Sequence, residues 1–186
     1  MSEQPARYQR SFGGLVGALL LTLLLIGSFV LLRACNTPDL AVRPKAVDYL
    51  SDVRYAQQAG ARLAYPPALP AGWIVTAVDF TPGTHPAFGL SMLTPAGEYV
   101  GLRQDPRPVS DLLTTYVDPH AHDDGPVTIA GALTPDLESW SDTGGDHALS
   151  TTYDGDSVLV FGSAKEADLH TVVEALTTKP VRQGGS

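Results

Sequence analysis

Residues 12–32 read FGGLVGALLLTLLLIGSFVLL, 21 residues without a charge. As a helix rising 1.5 Å per residue, this run is about 31 Å long, close to the roughly 30 Å hydrocarbon core of a bilayer. Nine Leu with Val16, Val30, Ile26, Phe12 and Phe29 favour insertion by on the order of 6 kcal/mol before the Gly and Ser penalties. A core helix of a soluble protein carries a polar stripe, and this segment has none. The run predicts a transmembrane helix at 12–32. It divides the chain into a tail (1–11), the span (12–32), a linker (33–44), one soluble domain (45–180) and a flexible C-terminal tail (181–186).

A cleaved signal is the competing reading. Signal h-regions are shorter than this run, but Leu32-Arg33-Ala34-Cys35 is similar to a bacterial lipobox, with Arg33 departing from the pattern. An uncleaved anchor is the reading adopted, with lipidation at Cys35 as the alternative. Both tether the domain to the plasma membrane. Arg7 and Arg10 favour a cytoplasmic N-terminus, whereas Arg33, Arg43 and Lys45 follow the span closely. Long domains translocate largely regardless of charge, so the domain is expected outside the cytoplasm. Gly13-x-x-x-Gly17 and Gly14-x-x-x-Ala18 offer a small-residue face for weak self-association of the helix.

After residue 35 the chain carries 19 acidic and 9 basic residues, a formal charge of −10. Such a domain repels phosphate backbones, so nucleic acid is not an expected partner. With one cysteine there is no intrachain disulfide, and about 150 residues must be stabilised by a core alone.

Lys45–Gly60 is periodic and ends at glycine, predicting a helix with Val47, Leu50, Val53 or Arg54, and Gln57 at helical spacing. Tyr65–Pro70 contains three prolines and breaks it. Strands are predicted at Trp73–Phe80, at Phe88–Leu93 and Glu98–Gln104 around Thr94-Pro95-Ala96-Gly97, in LESWS around Trp140, and at Leu149–Tyr153 and Ser157–Phe161 around Asp154-Gly155-Asp156. Helices are predicted at Val109–Val117, with Ser110 as N-cap, and at Lys165–Thr177.

LSMLTPAGEYVGLRQDPRPVSDLLTTYV from Leu90 aligns without a gap on LSTTYDGDSVLVFGSAKEADLHTVVEAL from Leu149. Each reads strand, tight turn, strand, helix. The expected fold is α+β, an antiparallel sheet built from two β-β-β-α halves. Val47-Asp48-Tyr49, Leu69-Pro70-Ala71-Gly72-Trp73 and Thr94-Pro95-Ala96-Gly97-Glu98-Tyr99-Val100-Gly101-Leu102, arranged behind one span, resemble the actinobacterial membrane-protein family of unknown function DUF4245. That resemblance implies an envelope protein with an extracytoplasmic domain and brings no activity or catalytic residues. A looser likeness to Mog1/PsbP-like domains, which often bind partners, is one of fold alone.

Asp118-Pro119-His120-Ala121-His122-Asp123-Asp124-Gly125 holds ligand types that zinc or copper accepts, but a solvated polar loop between the preceding helix and the next strand is the reading adopted. Ser91 does not sit in a nucleophile elbow, and no phosphate-binding loop occurs. Glu98 and Arg103 are candidates for a shared outward polar surface, while Trp73 and Trp140 read as core or sheet-edge residues. No catalytic, cofactor or metal residue is assigned. The expectation is a non-enzymatic, membrane-anchored module whose partners are the bilayer and an envelope protein. The alternatives are a lipoprotein-type ligand carrier or an enzyme with a non-local site. Either requires a polar pocket between sheet and helix.

Overall fold

The computed structural model describes residues 12–36 and 44–182, and within the first stretch it describes side chains only at 16, 17 and 19–29. The expectations for the tail 1–11, residues 37–43 and 183–186, and the side chains of Gly13, Gly14, Ala18, Arg33 and Cys35 lie outside the described residues. The chain divides into two compact units at the Arg43–Pro44 boundary.

In the first unit a single helix, α1 (Phe12–Asn36), covers the expected 12–32 and runs four residues further. Its described large apolar side chains, Val16 and those from Leu19 to Phe29, are all exposed. Among the described residues no helix is long and apolar enough to cross a membrane. The side chains described from 16 to 29 span only about 21 Å of helix axis. The expected helix is present, and the structure does not add a membrane crossing to it.

The second unit runs α2 (Tyr49–Gln58), β1 (Ile74–Thr81), β2 (Ala87–Leu93), β3 (Tyr99–Asp105), α3 (Val109–Tyr116), β4 (His122–Thr128), β5 (Asp136–Ser141), β6 (His147–Tyr153), β7 (Asp156–Gly162) and α4 (Glu166–Ala175). The fold is α+β, with seven strands in one antiparallel sheet ordered β1-β2-β3-β7-β6-β5-β4. Both predicted hairpins form. In the second, Asp154 and Gly155 take φ of 52° and 91°, the left-handed pair a two-residue hairpin turn requires.

Strand alternation gives the sheet two faces. Val100, Leu102, Leu149, Val158 and Val160 point to the first, where Tyr49, Val53 and Ala56 of α2 and Leu169, Val172 and Val173 of α4 cover them. The α4 residues and Leu176 follow helical spacing, and burying each contributes roughly 1.5–3 kcal/mol. Ala148, Leu159 and Phe161 point to the second face under Leu112 and Leu113 of α3.

Strands β1–β3 and β5–β7 follow the expected repeat about the β3–β7 junction, β4 is a further strand in the second half, and the helices do not follow it. A two-fold axis normal to the sheet would put α3 and α4 on one face, yet they lie on opposite faces. The hairpins explain part of this. Leu90 pairs with Leu102, twelve residues on, and Leu149 with Val160, eleven on. That one-residue difference turns gaplessly aligned positions such as Val100 and Leu159 to opposite faces.

Three expectations need correction. The first helix of this unit begins at Tyr49 rather than Lys45, because Val47 N–H donates instead to Val75 C=O at 2.8 Å. Its buried residues are Tyr49, Val53 and Ala56, whereas Val47 is exposed. Pro108, not Ser110, precedes α3 as its cap residue. Finally β4, read as loop, is an edge strand bulged between Asp123 and Gly125.

Candidate functional site

Between the sheet and α4 there is no room for a ligand. The residual gap between sheet and α4 is about 10 Å³ and is walled by Leu133, Leu137, Leu149, Val160, Val173 and Leu176. Apolar and no larger than one water, such a gap stays dry. The space between sheet and α4 is filled.

The second face differs, because α3 packs over β7 and leaves β1–β3 largely uncovered. A cleft of about 180 Å³ lies there, with Ala77 and Asp79 of β1, Gly89 and Ser91 of β2, Arg103 of β3, and the rings of Tyr99, Tyr116 and Phe161 around it. Its residues reach it by register: Ala77 pairs with Ser91, Asp79 with Gly89, Gly89 with Arg103, and Gly101 with Phe161. Two glycines let neighbouring side chains lie flat on the sheet here. A Cβ at Gly89 would come within 2.9 Å of Arg103 Nη1, and one at Gly101 would enter the Phe161 ring. Glycine inside a strand marks such close approach.

Arg103 organises the cleft. Its side chain is 13% exposed and its Nη1 pairs with Asp79 Oδ2, whose own side chain is 66% exposed. The guanidinium stands 5.3 Å from the centre of the Tyr116 ring, within cation–π range. Arg103 Nε is 3.6 Å from Asp105 Oδ2, too long for a hydrogen bond. Asp105 instead accepts two charge-assisted bonds from Arg107, at 2.9 Å each. The Arg107 side-chain hydrogen bond is the main cause that holds the Asp105 carboxyl below the usual carboxylate range, and the same bond raises the Arg107 guanidinium. Tyr99 packs edge-on against Phe161 with centroids 6.0 Å apart, and its hydroxyl lies 3.3 Å from Ser91 Oγ. An Arg103–Asp79 ion pair, an aromatic wall and a hydroxyl pair thus line the cleft, with the Arg107–Asp105 pair beside it.

Glu98 and Arg103 do not share a surface. Glu98 lies in the turn before β3, while Arg103 lies on the second face. Trp73 packs at the margin of the first-face core. Trp140 packs beside α3 with its Nε1 donating to Ser150 Oγ at 2.8 Å. In the His–Asp stretch, His120 and His122 are 93% and 79% exposed, His120 Nδ1 is 3.6 Å from Asp118, and His122 Nε2 is 3.8 Å from Asp124. Asp118 and Asp123 accept from the backbone N–H of His120 and Gly125. Among the described residues no group of three His, Cys, Asp or Glu could hold a metal. The structure brings together Asp79, Ser91, Tyr99, Arg103 and Tyr116, of which sequence reasoning singled out only Ser91, Arg103 and the Tyr99 motif. The available signal was glycine inside two strands, at 89 and 101.

A family model described as a protein of unknown function, DUF4245, matches residues 7–176. No curated protein and no solved structure matches the chain.

Proposed function

The chain belongs to the DUF4245 family, and from that premise we propose that it is a membrane-anchored, non-enzymatic binding module of the cell envelope, with the open second face of its sheet as the binding surface. The observation that carries the reading is the cleft beside Arg103. Its charges, Arg103 and Asp79, are matched to each other, and the neighbouring Arg107 is matched to Asp105, as in a preorganised contact surface rather than a group poised to react. The filled space between sheet and α4 supports the same reading, because the carrier and enzyme alternatives call for a pocket between sheet and helix. The anchor is supported by the uncharged run at 12–32 and by the exposed leucines of α1, which water penalises. An extracytoplasmic domain and a Mog1/PsbP-like kinship belong to the same proposal.

Two measurements test it. A reporter that is active only outside the cytoplasm, fused after Ser186, is expected to be active. A photo-crosslinking residue at Ala77, beside the cleft, is expected to capture one defined envelope protein, while the same residue at Asp124 on the far edge captures none. A silent reporter overturns the topology, and no capture at Ala77 overturns the surface.

A further inference from the structure

The two edges of the sheet are built differently. β4 carries Gly125 at a bulge, Pro126 with no N–H to give, and Asp123 and Asp124, the devices that keep an edge from pairing with another chain. β1 carries none of them beyond its start. Its bulge falls between Val75 and Ala77, where Val47 already pairs with Val75. From Thr76 to Thr81 it has no proline, glycine or lysine, and among the described residues no backbone partner on its outer side. Its one charge, Asp79, is drawn over the sheet by Arg103. Six residues of free edge present about 20 Å of strand.

We propose that β1 accepts an extended segment of a partner protein, rich in lysine or arginine at alternate positions, as an eighth strand. This rests on the binding-module reading and names the partner's chemistry. Main-chain hydrogen bonds to Thr76–Thr81 supply affinity, and alternate side chains supply selectivity. An added strand lies about 4.8 Å from β1, so its side chains on the second face stand beside Ala77 and Asp79. Ala77 is small enough to pass over, and the exposed Asp79 carboxylate lies within reach of a lysine or arginine head. The sign of the charge decides the occupant. From Pro44 onward the chain carries 18 acidic and 8 basic residues, so a second copy is repelled and a basic segment is attracted.

The test uses the full chain in nanodiscs of neutral phosphatidylcholine and the peptide Lys-Val-Lys-Val-Lys-Val-Lys, followed by amide hydrogen exchange. Exchange within 76–81 is expected to slow about tenfold or more. A peptide with proline at its centre, and the Glu-Val counterpart, leave exchange unchanged. Asp79→Asn weakens binding about twofold to fivefold. No slowing at millimolar peptide, or slowing elsewhere than β1, overturns the proposal. Equal slowing by the Glu-Val peptide removes the charge argument. Protection without peptide that grows with protein density makes the occupant a second copy and overturns it as well. Capture at Ala77 in membranes with no peptide effect at β1 leaves the binding module standing and defeats only the added strand.

Discussion

Single glycines decide how the second face closes. An Ala side chain at 101 meets the Phe161 ring, which can rotate, whereas at 162 it meets the Tyr99 backbone carbonyl, which cannot, at a φ of +145°. Gly101→Ala is therefore expected to lower unfolding free energy by about 1–3 kcal/mol. Gly162→Ala is expected to cost at least about 3 kcal/mol, adding strained φ to overlap. Urea denaturation followed by tryptophan fluorescence checks both. A second variant, Phe161→Leu, recovers part of the Gly101→Ala loss and none of the Gly162→Ala loss; equal recovery of both would show that the ring is not what Gly101 makes room for. The sequence marked Gly101 as part of a motif, but the reason for it lies on β7, sixty residues away in the chain. Periodicity does not report such distant contacts. The same holds for Arg103, which reads as an outward strand residue until Asp79 and Tyr116 are placed around it.

One buried amide ties the segment ahead of β1 to the centre of the sheet. Gln104 accepts from Ala64 N–H at 2.8 Å and donates to Arg62 C=O and Asp156 Oδ2, at 2.9 Å each. Removing it strands a buried N–H and a buried carboxylate, so Gln104→Ala is expected to cost about 3 kcal/mol. Faster amide exchange confined to 62–65 and β7 is its signature, and a loss spread evenly over the sheet would refute the clamp. Elements with strong local signals were legible: both hairpins, α3 and α4, and the α+β class follow from turn chemistry and helical spacing. What sequence could not give was competition between elements. Lys45–Asp48 has helical periodicity, but Val47 gains a strand partner in β1 and the helix starts later. β4 has glycine, proline and acidic residues because it is an edge, and those residues hide a strand from pattern reading. The repeat was visible as strand order, whereas the opposite faces of α3 and α4 turn on one residue of hairpin length.

For the molecule as a whole, two titrations bound the stability of the sheet unit, and a third measurement addresses the anchor. Burial, with Tyr65 and Asp48 nearby, pushes Tyr49 up to about 12, and its hydroxyl donates to Pro66 C=O at 2.7 Å. The folded chain thus keeps a proton that the unfolded chain releases near pH 10, so this contribution is whole below about pH 10 and is lost as pH rises through 12. Asp105 runs the other way. Its depressed carboxyl contributes above the ordinary value near 3.8 and loses that contribution as pH falls through its lower folded value. Urea midpoints against pH are expected to drop at both ends, with Tyr49→Phe flattening the alkaline limb; an unchanged limb in that variant would assign it elsewhere. The proposed anchor needs a different experiment. Each exposed leucine of α1 forgoes roughly 1.5–3 kcal/mol of burial in water, a sum that lipid recovers. The full chain is expected to stay with membranes through alkaline carbonate, and a chain starting at Pro44 to be released. Cys35→Ser separates helix from lipid: retention of this variant assigns the attachment to α1, and its release assigns it to acylation of Cys35 and removes the uncleaved span.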